Sequence, residues 1–364
     1  MAIQKISGVT IDLDSQAAGD VAYYDGEVAT WVRLAKGEAG EVLTMNDIGT
    51  FPVWNIREVL FQGGQYGYMM GSNADASSQN LIDRFSLTSQ SNAVAVGTML
   101  SGTYGNTSSG SSSASHGYSA GHVNAVGPQV FSNVIQKVSF AAAEADSTDV
   151  ANLTVARTSQ GGATAITQQY GYSFGGHHTT PSATNVIDKY PFVSDSNATD
   201  VGDLTEPMVY YTGGSNSLTH GYRAGGYVVP GGSEVIDKWP FATDTNATDV
   251  GNLLGVYLHV GAGFSSTTHG YTFGNHIPPS AGGNNIEKYS FTTDGNSTDV
   301  GDMTLGRYLP GGVSATAHGY ICGGANSSGV AVNIIERVAY ASDTNATDWA
   351  DLTIGKKAGA GVQY

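Results

Sequence analysis

The stretch VIDKWPFATDTNATDVGNL, Val235–Leu253, decides the reading of this 364-residue chain. It returns almost unchanged as VIDKYPFVSDSNATDVGDL (Val186–Leu204), NIEKYSFTTDGNSTDVGDM (Asn285–Met303) and IIERVAYASDTNATDWADL (Ile334–Leu352). Weaker copies occupy Ile135–Leu153 and Ile82–Met99. Each copy follows a Gly-Tyr step, which begins at Gly67, Gly117, Gly171, Gly221, Gly270 and Gly319. The central isoleucine falls at 82, 135, 187, 236, 286 and 335, a period of 49–53 residues. Six units of this length, each with several short β-type runs, predict an all-β fold: a six-bladed β-propeller.

The fourth unit shows the expected blade. Thr212–Leu218 supplies an inner strand, Tyr222–Gly225 a second, Val235–Phe241 a third and Asp249–Leu253 an outer one, with Tyr227–Ser233 as a loop. The chain ends just where a seventh Gly-Tyr step would start. Its last run, Lys356–Tyr364, is therefore expected to serve as the inner strand of the first blade, in preference to Glu58–Gln65. Closure of that kind hides sheet edges that would otherwise pair with other chains. The propeller is assigned to residues 51–364, with 51–56 (FPVWNI) as a connecting linker.

Composition narrows the function. The net charge is −16 and the pI about 4.7, a surface that repels phosphate backbones and anionic lipid. No nucleic-acid partner is expected, while a neutral glycan is compatible. No apolar run approaches the length of a membrane span, and Met1–Ser15 lacks the basic start and apolar core of a secretion signal. Cys322, the only cysteine, sits where other units carry Ala or Phe and reads as a buried apolar residue.

Residues repeated in every unit argue for architecture, because one reaction needs one geometry. A basic residue follows each central isoleucine by two (Arg84, Lys137, Lys189, Lys238, Lys288, Arg337), and an acid precedes it in five units. A repeated ion pair within or between blades is expected. Asp-x-Asn-Ala/Ser-Thr-Asp, starting at Asp195, Asp244, Asp294 and Asp343, reads as turn code, with a calcium loop as the alternative. His116, His220, His269 and His318 precede the Gly-Tyr step and read as turn residues. No metal or other cofactor is expected. The units differ most in the loops after the second strand, which should share one face. Phe131, His177, His178, Tyr227, His276 and Asn326 are the candidate binding residues there, the rings stacking on sugars and the amide bonding hydroxyls.

Residues 1–50 stand outside the repeat. Asp25-Gly26 between Val21–Tyr24 and Thr30–Leu34 predicts a hairpin. The order Gly19, Asp20, Tyr23, Tyr24, Asp25, Gly26, Trp31, Arg33, Leu34, Gly37, Gly40, Val42, Leu43, Pro52, Trp54 resembles a segment common in tail-fibre and other virion proteins of tailed bacteriophages. The propeller part resembles the kelch repeat. Its Gly-Gly is complete at Gly175, Gly225 and Gly323, and the aromatic partner is present as Tyr190, Trp239 and Tyr289. The later kelch tryptophan has a counterpart only at Trp349, which marks a divergent relative.

These resemblances imply a non-enzymatic virion surface protein. Residues 1–50 would attach it to other virion proteins or to further copies of itself, and its propeller would face a host-surface glycan. A capsid decoration role without receptor binding, a glycan-active propeller enzyme and a kelch adaptor are the alternatives. For the enzyme, Asp75, Glu58, Glu206 and Glu234 are the propeller acids outside the repeated positions, and they form no recognisable pair.

Overall fold

A computed structural model describes residues 21–25, 30–35, 41–45, 52–56, 63–72, 80–100, 109–124, 130–141, 146–165, 169–179, 182–258, 261–275 and 282–364. All regular structure among them is strand, and no helix there is long and apolar enough to cross a membrane. The chain divides into two units, Met1–Val59 and Leu60–Tyr364. In the first, Val21–Asp25 pairs antiparallel with Thr30–Leu34, the hairpin expected around Asp25. Glu41–Met45 pairs with Pro52–Ile56. The segment read as a linker is thus a strand: Val53, Trp54 and Ile56 favour extended backbone, and Glu41–Met45 offers them a partner.

The second unit is a six-bladed β-propeller of four-stranded antiparallel sheets. From the inner strand outward, blade 2 is Ser109–Ser112, His116–Asn124, Val130–Ser139 and Thr148–Asn152; blade 3 is Gly161–Ala165, Tyr170–Phe174, Thr184–Pro191 and Thr199–Met208. Blade 4 is Gly213–Asn216, His220–Val228, Gly231–Pro240 and Thr248–Tyr257; blade 5 is Gly263–Ser265, His269–Phe273, Asn285–Ser290 and Thr298–Asp302. Blade 6 is Gly311–Ser314, His318–Cys322, Ile334–Ala339 and Thr347–Asp351. Blade 1 combines both ends of the unit: Ala360–Gln363 inside, then Tyr66–Met70, Leu81–Ser86 and Val94–Thr98. The C-terminal run therefore closes the ring, as expected.

In blade 4 the strands are longer than their sequence suggested. Tyr227 pairs with Gly232 and Val228 with Gly231, so the expected loop is the tip of an extended hairpin.

The inner strands meet around the axis through two repeated devices. Gly110, Gly162, Gly214, Gly263, Gly312 and Gly361 form a belt in which an added Cβ at each would strike the carbonyl oxygen of the belt glycine in the preceding blade. Two residues on, a polar side chain accepts the backbone N–H of its neighbour: Ser112 N–H donates to Thr164, Thr164 to Asn216 and Asn216 to Ser265. Ser265 then donates to Ser314, Ser314 to Gln363, and Gln363 back to Ser112, at 2.9–3.4 Å throughout the cycle. The cycle is closed. It satisfies inner-edge N–H groups that no further strand can reach.

Each blade is covered by a neighbour on both faces, so alternate residues of the third strand face opposite seams. In Ile187-Asp188-Lys189-Tyr190, Lys189 reaches Asp244 in the following blade, while Asp188 and Tyr190 bond Thr154 and Ser111 in the preceding one. The tyrosine of each Gly-Tyr step fills the next seam. Tyr118 stacks on Phe192, Tyr172 on Phe241, Tyr222 on Phe291 and Tyr271 on Tyr340, with centroids 4.7–5.4 Å apart. Tyr68 stacks on Phe140 in the same way, and Tyr320 donates instead to the Leu87 carbonyl at 2.6 Å. The glycine before it makes room for a third-strand ring, such as Trp239 over Gly221.

Gly214→Ala is expected to destabilise the propeller by about 1–3 kcal/mol, because the new methyl meets backbone that cannot move without breaking the ring. Gly231→Ala, whose Cβ would meet nothing within 4 Å, should stay within about 0.5 kcal/mol. Urea denaturation of both variants checks this, and equal losses would refute it.

Candidate functional site

The repeated charged residues resolve into two separate networks. Lys137, Lys189, Lys238 and Lys288 each reach the first Asp of the next blade's turn (Asp195, Asp244, Asp294, Asp343) at 2.7–3.0 Å. These aspartates are about half exposed, so each rung contributes little, below about 1 kcal/mol. Arg84 and Arg337 instead lie over the rings of Tyr66 and Trp349. The Asn of the same turn crosses the seam too: Asn197 accepts the Asn152 N–H, Asn246 that of Asp203, Asn296 that of Asn252 and Asn345 that of Asp302. The motif is therefore a staple between blades as well as a turn. Among the described residues no cluster of three or more His, Cys, Asp or Glu is placed to hold a metal ion.

The acids beside those basic residues are fully buried and answer to the preceding blade crossing. Asp188 accepts from Thr154 N–H, Thr154 Oγ1 at 2.6 Å and Arg157 at 3.0 Å. Asp83 is held likewise by Thr353 and Lys356, and Glu336 by Thr304 and Arg307. This Thr-x-x-Arg/Lys pattern at the crossings escaped the sequence reading, although Thr154-Val-Ala-Arg157, Thr304-Leu-Gly-Arg307 and Thr353-Ile-Gly-Lys356 are all visible. Blade 4 departs from it: Met208 takes the arginine position, and Arg223 from the second strand lies 3.6 Å from Asp237 and 2.8 Å from Glu206.

The turn histidines bond locally. His116, His220 and His269 place Nδ1 2.8 Å from the hydroxyl of the preceding Ser or Thr, and their carbonyls close the turn onto Ser113, Ser217 and Ser266. Cys322 is fully buried and its thiol is pushed far up, by burial above all.

On the face formed by the loops after the second strand and the crossings between blades, the backbone bridges recur but the side chains differ from blade to blade. Phe131 of blade 2 packs edge-on against His177 of blade 3 at 4.8 Å. His177 lies 4.9 Å from Tyr210 on the crossing to blade 4, and Tyr210 lies 5.9 Å from Tyr227. The four rings, all partly exposed, make an arc across three blades. Isolated bridges fix its spine, Thr158 to His177 and Tyr210 to Tyr227. In blade 6 the equivalent bridge joins Tyr308 to Ala325, which has no ring to offer. Burial, and then the neighbouring His178, hold the His177 imidazole below its ordinary pKa.

Three of the six candidate residues, Phe131, His177 and Tyr227, are thus brought together, and Tyr210 joins them unforeseen. His178 adjoins the arc with an intermediate exposure. Asn326 lies in blade 6, where its side chain accepts the N–H groups of Ser328 and Val330 and shapes its own turn. His276 lies outside the described residues, as do 73–79 and 125–129 of the same set of loops. Toward the axis, Tyr211, Leu309 and Ala358 pack together at the mouth of the channel. Each has a positive φ, 41°, 58° and 54°, an uncommon conformation for residues with a Cβ. Below them the inner strands enclose a small polar cavity of about 50 Å³.

No family model matches the chain, and no curated protein is significantly similar to it. The resemblances to virion segments and to the kelch repeat therefore rest on the residues that carry them.

His122, buried beside the arc, has its pKa lowered by burial to about 4. The unfolded state binds the extra proton below about pH 6.5, so stability is complete above that value and falls as pH drops toward 4. The loss at pH 4.5 attributable to His122 should be about 2–3 kcal/mol. It should shrink in His122→Gln. Urea midpoints of both proteins at pH 7 and 4.5 give the comparison, and identical acid losses would sink the assignment.

Proposed function

We propose that this chain is a non-enzymatic surface protein of a bacteriophage virion, a tail fibre or related component, attached through its N-terminal unit and using the propeller's loop face for host-surface recognition. The observation that carries the recognition half is the break in sixfold repetition. The seams repeat from blade to blade, whereas among the described residues the aromatic arc over Phe131, His177, Tyr210 and Tyr227 lies on blades 2 to 4 only. Binding residues are disproportionately carried by variable loops on a rigid scaffold. The virion half rests on the order of turns and aromatics from Gly19 to Trp54. The non-enzymatic reading draws support from the buried third-strand acids, since Asp83, Asp188, Asp237 and Glu336 are committed to crossing residues of the blade interfaces.

Cryo-electron microscopy of purified particles tests the proposal. Propellers at tail or fibre tips, loop face outward, are the expected result. Propellers spread over the capsid lattice would replace recognition with decoration, and absence from every particle would overturn the virion assignment.

A further inference from the structure

Charge is distributed unevenly over the propeller. Along the loop face, Arg157, Arg307 and Lys356 are fully buried against carboxylates, and Glu206 is paired with Arg223. Lys357 donates to the Gly329 carbonyl at 3.1 Å. Glu234 is partly exposed, and Asp75 lies outside the described residues. The exposed aspartates of the repeats stand instead in the turns between third and outer strands, on the opposite face, 50–57% exposed where they meet the lysines. Among the described residues, a chain of net charge −16 thus presents a loop face with few exposed charges.

We propose that the loop face binds an uncharged polysaccharide laid across blades 2 to 4, over Phe131, His177, Tyr210 and Tyr227. The inference rests on the surface-recognition reading above and narrows it to one ligand class. Sugar rings have C–H faces that suit the negative faces of aromatic rings, and hydroxyl rims that suit phenol and imidazole groups. The arc supplies rings of both kinds in sequence along one direction. A polyanion would be repelled by the whole molecule, and the cations of this face among the described residues are already engaged by carboxylates or carbonyls. A neutral chain meets no such penalty. With Tyr211, Leu309 and Ala358 packed at the channel mouth, the ligand lies over the surface and does not enter the axis. A protein partner would draw instead on the exposed aliphatic tips, Val229 and Val330, at 63% and 59% exposure.

The test immobilises dextran, mannan and galactan as neutral probes and alginate and hyaluronate as anionic ones, and measures binding of the full chain at 50 and 500 mM NaCl. Variants Tyr210→Ala, Tyr227→Ala and Val330→Ser are compared after thermal melts confirm that each is folded. We expect binding to at least one neutral polymer, changing less than about twofold between the two salts. It should weaken by about fivefold or more in each tyrosine variant and stay unaltered in Val330→Ser. Binding confined to the anionic polymers, binding lost at high salt, indifference to both tyrosine variants, or no binding to any neutral polymer would each overturn the proposal. Loss of binding in Val330→Ser alone would also overturn it and shift the site to the aliphatic tips. If no neutral polymer binds while particles carry the chain at their fibre tips, the polysaccharide inference fails by itself and the virion assignment stands.

Discussion

The structure depends on the closed hydrogen-bond cycle around its axis. Six inner strands must approach within backbone contact, and each leaves an edge that no seventh strand can cover. The belt of glycines permits the approach, and the Ser, Thr, Asn and Gln side chains two residues along satisfy the edge N–H groups. Neither device works in an open ring. The blade made from Ala360–Gln363 and Tyr66–Met70 is therefore what makes the other five complete. Joining the two ends of a chain this long is entropically unfavourable, but the cost grows only slowly with loop length, and closure removes two open blade faces at once.

Outward from that cycle the seams combine three kinds of contact. Tyrosine stacks and apolar contacts come first, then the buried acids with their Thr and Arg or Lys donors, and last the half-exposed Lys–Asp rungs. The buried layer constrains sequence most strongly. An acid in that position loses its hydration and needs donors from the preceding crossing, and removing one partner of such a pair typically costs about 3–5 kcal/mol. Blade 4 shows the constraint being met by a different route. With Met208 at the crossing, Arg223 arrives from the second strand, and Glu206 and Ser233 complete its surroundings. Burial nevertheless pushes the Asp237 carboxyl above its ordinary range.

This use of charge separates the two faces of the propeller. The seams consume most of the basic residues, and the acidic turns all emerge on one side. On the other side aromatic residues cross the seams between blades 2, 3 and 4, and most charged groups there are buried in ion pairs.

By itself, the sequence determined what is local and repeated. Blade number, the all-β class, the Gly-Tyr step and the closing C-terminal strand were legible, because a strand and its turn are encoded within a few residues and recur with a fixed period. The partners of charged groups were not. Asp188 and Lys189 are adjacent in the chain, yet strand alternation sends them to opposite seams, and only stacked blades show that Asp188 meets Arg157 and Lys189 meets Asp244. The same holds at the candidate site. Phe131, His177 and Tyr227 stood out in the loops where the units differ, but nothing in the sequence singled out Tyr210. Tertiary structure alone brought it between them, because the crossing that carries Tyr210 runs beside the loop ends of blades 3 and 4.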